Sequence, residues 1–165
     1  MSMVVRDARE DDLPAILAIH NHVVATSTAH YNFTPADLAD RRALVLGRQS
    51  AGLPFLVAAD GDAVAGYASF GPFRPQDGFG RTVEHMVYVA PEFQRRGVAA
   101  LLLAALIARA RALGLHVMLG ALDAANEASI ALHARMGFAK VGLMPQAGYK
   151  FGRYLDLLWM QIVLD

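Results

Sequence analysis

The strand-like residues Val87-Tyr88-Val89 stop at Ala90-Pro91, pass through the basic turn Gln94-Arg95-Arg96-Gly97 and open an apolar helix at Val98-Ala99-Ala100. No other segment constrains the fold as much, because a strand that feeds a helix through a tight turn belongs in a layered α/β domain. The turn leaves the first N–H groups of the helix without backbone partners, and these groups together with the helix dipole favour an anion. Gly97 allows close approach to the backbone, and Arg95 and Arg96 add fixed positive charge. The segment reads as the seat of a phosphate-bearing cofactor. On this segment alone, the alternative is an ordinary connection carrying a solvated arginine pair.

The rest of the chain supplies the strands and helices such a layer needs. Val4 and Val5 suit a short first strand, and Leu13, Ile16, Leu17, Ile19, Val23 and Val24 recur at helical spacing after the acidic start Glu10-Asp11-Asp12. Thr34-Pro35-Ala36-Asp37 reads as the start of a second helix running to Gly47, with proline at its first position. Phe55–Ala59 and Val64–Phe70 are strands joined by the hairpin signal Asp60-Gly61-Asp62. Gly71–Arg81, rich in proline and glycine, reads as a loop, and loops on a rigid sheet commonly carry substrate contacts. Thr82–Val89, Val117–Leu122, Phe138–Leu143 and Leu155–Leu164 read as strands, Gly97–Leu113 and Ala125–Met136 as helices, and Pro145–Gly152 as a loop. The expected fold is therefore α/β in the broad sense (α+β), one domain over residues 1–165, with a mixed central sheet of about seven strands flanked by about four helices.

Composition narrows the function classes. The chain of 165 residues has 15 basic and 15 acidic side chains and no long charge run, so a small-molecule partner is expected, not nucleic acid and not a membrane surface. It has no cysteine, which removes disulfides, thiolate metal sites and a thiol nucleophile, and the expected compartment is the cytoplasm. The first residues, Met1 to Asp7, lack an apolar leader core, and the longest apolar run, Val98–Ala108, is shorter than the ~18 residues that span a bilayer. The histidines show no metal-ligand pattern: His20 and His22 point different ways on a helix, and no metal is expected.

Gln94-Arg95-Arg96-Gly97-Val98-Ala99 fits the pattern Gln/Arg-x-x-Gly-x-Gly/Ala, and Asn126-Glu127-Ala128-Ser129-Ile130-Ala131-Leu132-His133-Ala134-Arg135-Met136-Gly137-Phe138 follows at a matching distance. Together they resemble the GNAT N-acetyltransferase superfamily. Thr82-Val83-Glu84-His85-Met86-Val87-Tyr88-Val89 and the segment from Pro145 to Asp156 further resemble its phosphinothricin and methionine sulfoximine branch. The resemblance implies acetyl-CoA as co-substrate. Its pyrophosphate would be wrapped by Gln94, Arg95, Arg96, Gly97, Val98, Ala99 and Ala100, and its pantetheine end would be contacted by Asn126 and by a splayed strand through Val87, Tyr88 and Val89. It also implies a homodimer and direct transfer, in a ternary complex, to the α-amino group of a small amino-acid-like substrate such as methionine sulfoximine, methionine sulfone or phosphinothricin.

For that transfer the amine must lose a proton, and Glu84 is the candidate base. Its alternative is a solvated carboxylate at a strand edge. His133 stands where many superfamily members have a proton-donating tyrosine, and the resemblance gives it an acid role; the alternative is a packed histidine satisfied by a backbone carbonyl. Tyr31, Phe73, Arg74, Pro75, Gln76, Glu84, His85, Met86 and Lys150 are the candidate substrate residues, with Arg74 and Lys150 as cations for a carboxylate. Tyr31 and Phe73 stand where close members of the branch often have tryptophan. Two other readings are a peptide N-terminal acetyltransferase, which needs an open groove, and a non-catalytic acyl-CoA sensor, which needs neither Glu84 nor His133.

Overall fold

Alternating apolar residues set two faces on each central strand. In the strand Phe55–Asp60 (β2), Leu56 and Ala58 belong to one buried cluster, whereas Phe55 and Val57 belong to the other. The computed structural model describes residues 3–165; Met1 and Ser2, the start of the segment read above as lacking a leader core, lie outside them. The remaining strands are β1 (Val4–Asp7), β3 (Ala63–Pro72), β4 (Thr82–Val89), β5 (Val117–Asp123), β6 (Ala139–Lys150) and β7 (Arg153–Val163). They form one sheet in the order β1-β2-β3-β4-β5-β7-β6. The helices are α1 (Leu13–Thr26), α2 (Leu38–Ser50), α3 (Val98–Ala112) and α4 (Glu127–Arg135). Leu102, Leu103 and Leu106 of α3, with Ile130 of α4, cover one face, and Leu13 and Ile16 of α1 with Val45 of α2 cover the other. Among the described residues no helix is long and apolar enough to cross a membrane. The mixed seven-stranded sheet with four helices is the expected architecture.

All pairings are antiparallel except that of β4 with β5, which covers only Thr82–Glu84 against Val117–Leu119. Beyond Glu84 the two strands diverge, while β4 stays paired with β3 as far as Val89. The β5-facing peptide groups of His85–Val89 therefore have no strand partner, and the wedge between β4 and β5 opens below the start of α3.

Two expectations are corrected. The second helix is capped by Asp37, not by the Thr34-Pro35 pair: the Asp37 carboxylate accepts from the Asp40 N–H at 2.8 Å, and Asp40 returns a bond to the Asp37 N–H at 3.2 Å. Asn21 of α1 brackets Ala36 through both its backbone groups, at 2.9 and 3.0 Å, which holds the approach to the helix against α1. The segment read as a loop, Pro145–Gly152, is instead mostly the second half of β6, and only Phe151 and Gly152 form the turn into β7. β6 is an edge strand, so it accommodates Pro145 and a register shift between Met144 and Gly148 that a central strand would not.

Candidate functional site

The wedge between β4 and β5 continues into a cavity of about 390 Å³. Its walls come from the segment Thr28–Asn32 after α1, from β4 at Glu84–Tyr88, from β5 at Ala121 and Leu122 with Leu157 of β7, and from the first two turns of α3 and α4. That size suits a small ligand or one end of a larger one.

At the cofactor end, Arg95 (φ 60°) and Gly97 (φ 79°) both take left-handed backbone conformations, so the turn curls its N–H groups inward as an anion nest. Gln94, Arg95, Arg96 and Gly97 are exposed, and Gly97 is the N-cap of α3. Val98 is buried beneath the turn and Ala99 lines the cavity, so small residues at the first helical turn leave the backbone accessible. Asn126 lies on the opposite wall, where its Oδ1 accepts from the Ser129 N–H at 3.1 Å and caps α4, leaving its amide NH₂ free of that bond. A nest at a helix N-terminus, followed by unpaired strand edges, fits a pyrophosphate with an extended amide-bearing arm.

At the acceptor end, Glu84 forms the last rung with β5 and lines the cavity, half-buried, and burial raises its carboxyl above the usual carboxylate range. Met86 and Tyr88 lie beyond it on the same strand, and burial pushes the Tyr88 hydroxyl up to about 12. Tyr31 reaches in from the other wall. Gly148 of β6 has no side chain there, so the Tyr31 ring lies against it, and the Tyr31 hydroxyl is buried without a partner among the described residues. The Thr28–Asn32 wall is pinned at two points. The Thr28 hydroxyl donates to Asp123 at the end of β5 at 2.6 Å, and the buried Lys150 ammonium donates to the Ser27 and His30 carbonyls at 2.7 and 2.5 Å.

His133 is 5 % exposed on α4, its Nδ1 lies 2.7 Å from the Ser129 carbonyl, and its Nε2 lies 3.0 Å from Nε2 of His85. Both imidazoles are held below the ordinary histidine value by burial, His85 down to about 3. The Ser129 hydroxyl lies 3.4 Å from His133 Nδ1, but that nitrogen carries a hydrogen toward the carbonyl, so it is not a base for the serine.

Other sequence candidates fall elsewhere. Lys150 does not stand ready for a substrate carboxylate as expected, because the residue is 2 % exposed, donates to two backbone carbonyls and does not line the cavity. Phe73 packs edge-on against Trp159 and Phe79, and the Arg74 guanidinium rests over the Phe73 ring at 5.2 Å. Arg74, Pro75 and Gln76 border a separate hollow with Leu53 and Thr82, so the loop does not line the main cavity in this chain. Sequence reading missed Asp123, whose place in an Asp-Ala-Ala-Asn turn at a strand end was its one signal, and Gly120, a glycine within an apolar strand. Among the described residues no group of three or more His, Asp or Glu side chains could hold a metal ion.

A model of the acetyltransferase (GNAT) family matches residues 15–138. An L-methionine sulfoximine/L-methionine sulfone acetyltransferase of Pseudomonas paraeruginosa is 54 % identical over 100 % of this chain and 96 % of its own length. The chain belongs to the GNAT acetyltransferase family. This acetyltransferase is also 40 % identical to a phosphinothricin N-acetyltransferase of Alcaligenes faecalis, over 98 % of this chain and 82 % of that protein. Among solved structures, yncA of Salmonella typhimurium with its cofactor acetyl-CoA is 45 % identical with a TM-score of 0.97, covering 100 % of this chain and 95 % of that one. The expected family and fold, and the enzyme class, are thereby shown.

Proposed function

We propose that this acetyltransferase moves the acetyl group of acetyl-CoA directly to the α-amino group of a small amino-acid analogue of the methionine sulfoximine, methionine sulfone or phosphinothricin type. The carrying observation is that one cavity joins the acceptor-side residues Tyr31, Glu84 and Met86 to the cofactor-side residues Val87, Tyr88, Ala99 and Asn126. A donor and an acceptor seated there share one space, which is what direct transfer needs. Bound acetyl-CoA supplies the activated acyl group as a thioester. Gln94, Arg95, Arg96, Gly97, Val98, Ala99 and Ala100 hold its phosphates through N–H groups and charge. The unpaired peptide groups between His85 and Val89 hold the pantetheine arm and offer N–H donors to the carbonyl oxygen, each worth about 3 kcal/mol in comparable sites.

Glu84 takes the proton from the incoming ammonium. The amine nitrogen then bonds to the acetyl carbon, the C–S bond breaks, and the CoA sulfur leaves as a thiolate that takes up the second proton released from nitrogen. Burial makes Glu84 a stronger base than an exposed carboxylate, which narrows the gap to an amine. The tethered Thr28–Asn32 wall closes the acceptor side and favours a small amine over a peptide N-terminus. Exposed apolar side chains on β6 and the turn into β7, Val141, Leu143, Met144, Tyr149 and Phe151, support a homodimer, and a detoxifying cytoplasmic role fits the reaction.

The test is thiol release from acetyl-CoA across methionine sulfoximine, methionine sulfone, phosphinothricin, ordinary amino acids and short peptides. Saturable release with the first three supports the reading, whereas release only with peptides overturns the acceptor. Tight acetyl-CoA binding with no release on any amine would favour a sensor.

A further inference from the structure

His85 and His133 come from strand β4 and helix α4, 48 positions apart in the chain, and meet through their Nε2 atoms at 3.0 Å. Their rings lie within 14° of coplanar with centroids 5.0 Å apart. That separation approaches the N–N distance plus the two ring radii, so the rings meet edge to edge through a hydrogen bond and do not stack face to face. His133 Nδ1 faces the Ser129 carbonyl at 2.7 Å, and a carbonyl can only accept, so Nδ1 carries hydrogen. In neutral His133 the Nε2 then has only a lone pair, and the hydrogen between the rings belongs to His85. This leaves His85 Nδ1 as a lone pair, shut off from solvent and without a partner among the described residues.

Two residues make room for the meeting. The Phe138 ring stands edge-on to both imidazoles, at 5.6 and 5.1 Å and 82° to each, and fixes their common plane. On β5, a Cβ at Gly120 would lie 2.7 Å from His85 Nε2 and 3.4 Å from His133 Nε2, so any side chain there would separate the pair. A glycine inside a buried strand costs stability and packs nothing, and here it opens the notch in which the two rings touch.

We infer that His85 is the positioning residue of His133: the Ser129 carbonyl sets hydrogen on His133 Nδ1, the His85 Nε2–H engages the Nε2 lone pair this leaves and holds the ring at the cavity wall, and the two rings titrate as a unit. In the pair carrying one added proton, the hydrogen between the rings belongs to His133, an imidazolium whose other N–H stays on the Ser129 carbonyl, and neutral His85 carries hydrogen on Nδ1. The Ser129 carbonyl favours charge on His133, partly offsetting burial, while His85 has only burial and its neighbour's charge, both opposing it. The titratable groups around the same cavity are Glu84 and Tyr88 of β4 and His30 and Tyr31 of the facing wall; α3, β5 and β7 contribute apolar side chains. The catalytic meaning of the pair rests on the acetyl transfer proposed above, whereas its tautomer does not.

The test reads the tautomers directly, by side-chain ¹⁵N NMR of the protein without substrates, beside steady-state kinetics. Wild type is expected to show His133 protonated at Nδ1 and His85 at Nε2. His85→Leu should leave His133 Nε2 without its donor, move the ¹⁵N shift of that nitrogen and the pH profile of kcat, and lower kcat about tenfold or more, with KM for acetyl-CoA unchanged. His85→Gln, which returns an N–H donor, should restore the Nε2 shift and much of kcat. Gly120→Ala leaves both histidines in the sequence and should uncouple them. A wild-type His133 protonated at Nε2 and bare at Nδ1, or a His85→Leu variant with unchanged His133 Nε2 shift and pH profile, overturns the inference. The expected tautomers in a protein that acetylates no amine would remove the proposed reaction and leave the pairing standing.

Discussion

Glu84 and Leu119 form the last rung between β4 and β5, so the carboxylate stands at the point where the sheet splits. One residue thus ends a ladder and begins a cavity. The side chain is partly withdrawn from water by the same divergence that frees the peptide edge beyond it, so the raised carboxyl and the unpaired peptide groups share one structural origin.

Replacing that carboxylate separates reactivity from stability. Glu84→Gln should lower kcat/KM by about 10²–10⁴ and remove the acidic limb of its pH profile, while acetyl-CoA still binds. Burial raises the carboxyl in the folded state, so its stabilising contribution is complete below the unfolded value and lost as pH rises through the folded one. Ionised Glu84 therefore costs stability at neutral pH, and the variant should melt higher at pH 7 yet match wild type in acid. Calorimetry at both pH values checks this, and a lower melting point at pH 7 would contradict it.

Gly97 takes a left-handed conformation, φ 79°, with open space where a Cβ would lie. Gly97→Ala therefore acts through backbone strain of about 1–2 kcal/mol and not through a clash. Acetyl-CoA affinity should fall by up to about tenfold, with the amine KM unaltered, and Gly97→Asn should be milder because asparagine tolerates this region. Isothermal titration with acetyl-CoA measures both; equal loss for alanine and asparagine would point to a steric cause.

Lys150→Met keeps the aliphatic stem but strands the Ser27 and His30 carbonyls. The loss should be about 1–3 kcal/mol, or about 2–4 °C in Tm for each kcal/mol. Because the tether holds the acceptor wall, the amine KM should rise more than that of acetyl-CoA. A variant that loses stability while both KM values hold would show that the wall keeps its shape without the tether.

His20 of α1 is buried beside the Tyr67 hydroxyl at 3.3 Å and the Arg41 guanidinium at 3.4 Å, and burial, with Arg41 and His30 nearby, lowers it from 6.5 to about 4. The unfolded chain takes up this proton first as pH falls, so stability present above about pH 6.5 is lost down to about pH 4. His85 extends the same trend to about pH 3. His20→Asn should flatten the fall of the urea midpoint between pH 6.5 and 4 by about one proton. An unchanged slope would assign that proton to other groups.

The elements were legible wherever local chemistry and tertiary demand agreed. The Asp60-Gly61-Asp62 hairpin lies where its turn residues put it, and Gly97 stands in a left-handed conformation where the turn opens α3. Reading failed where a neighbour overruled the segment. Pro145 and the glycines around it look like loop, yet they continue β6 because β7 pairs with them and an edge strand tolerates a missing donor. Lys150 looks like a free cation, but the fold buries it beside the Ser27 and His30 carbonyls and away from the cavity lining. Glu84 and His133 stood in recognisable motifs; that His85 meets His133 depends on strand β4, helix α4 and the notch at Gly120 being brought together, which no local pattern carries.

The Lys150 tether also bears on how such an enzyme diverges. Glu84 and the histidine pair sit on central elements, β4 and α4, whereas the Thr28–Asn32 wall takes its shape from a lysine on the outermost strand and from Gly148 behind Tyr31. Substitutions in the β6–β7 hairpin can therefore reshape the acceptor wall while Glu84 and the histidine pair stay in place. Selectivity and catalysis are thus separable under mutation, and drift at the sheet's edge is a route to new acceptors that leaves the chemistry intact.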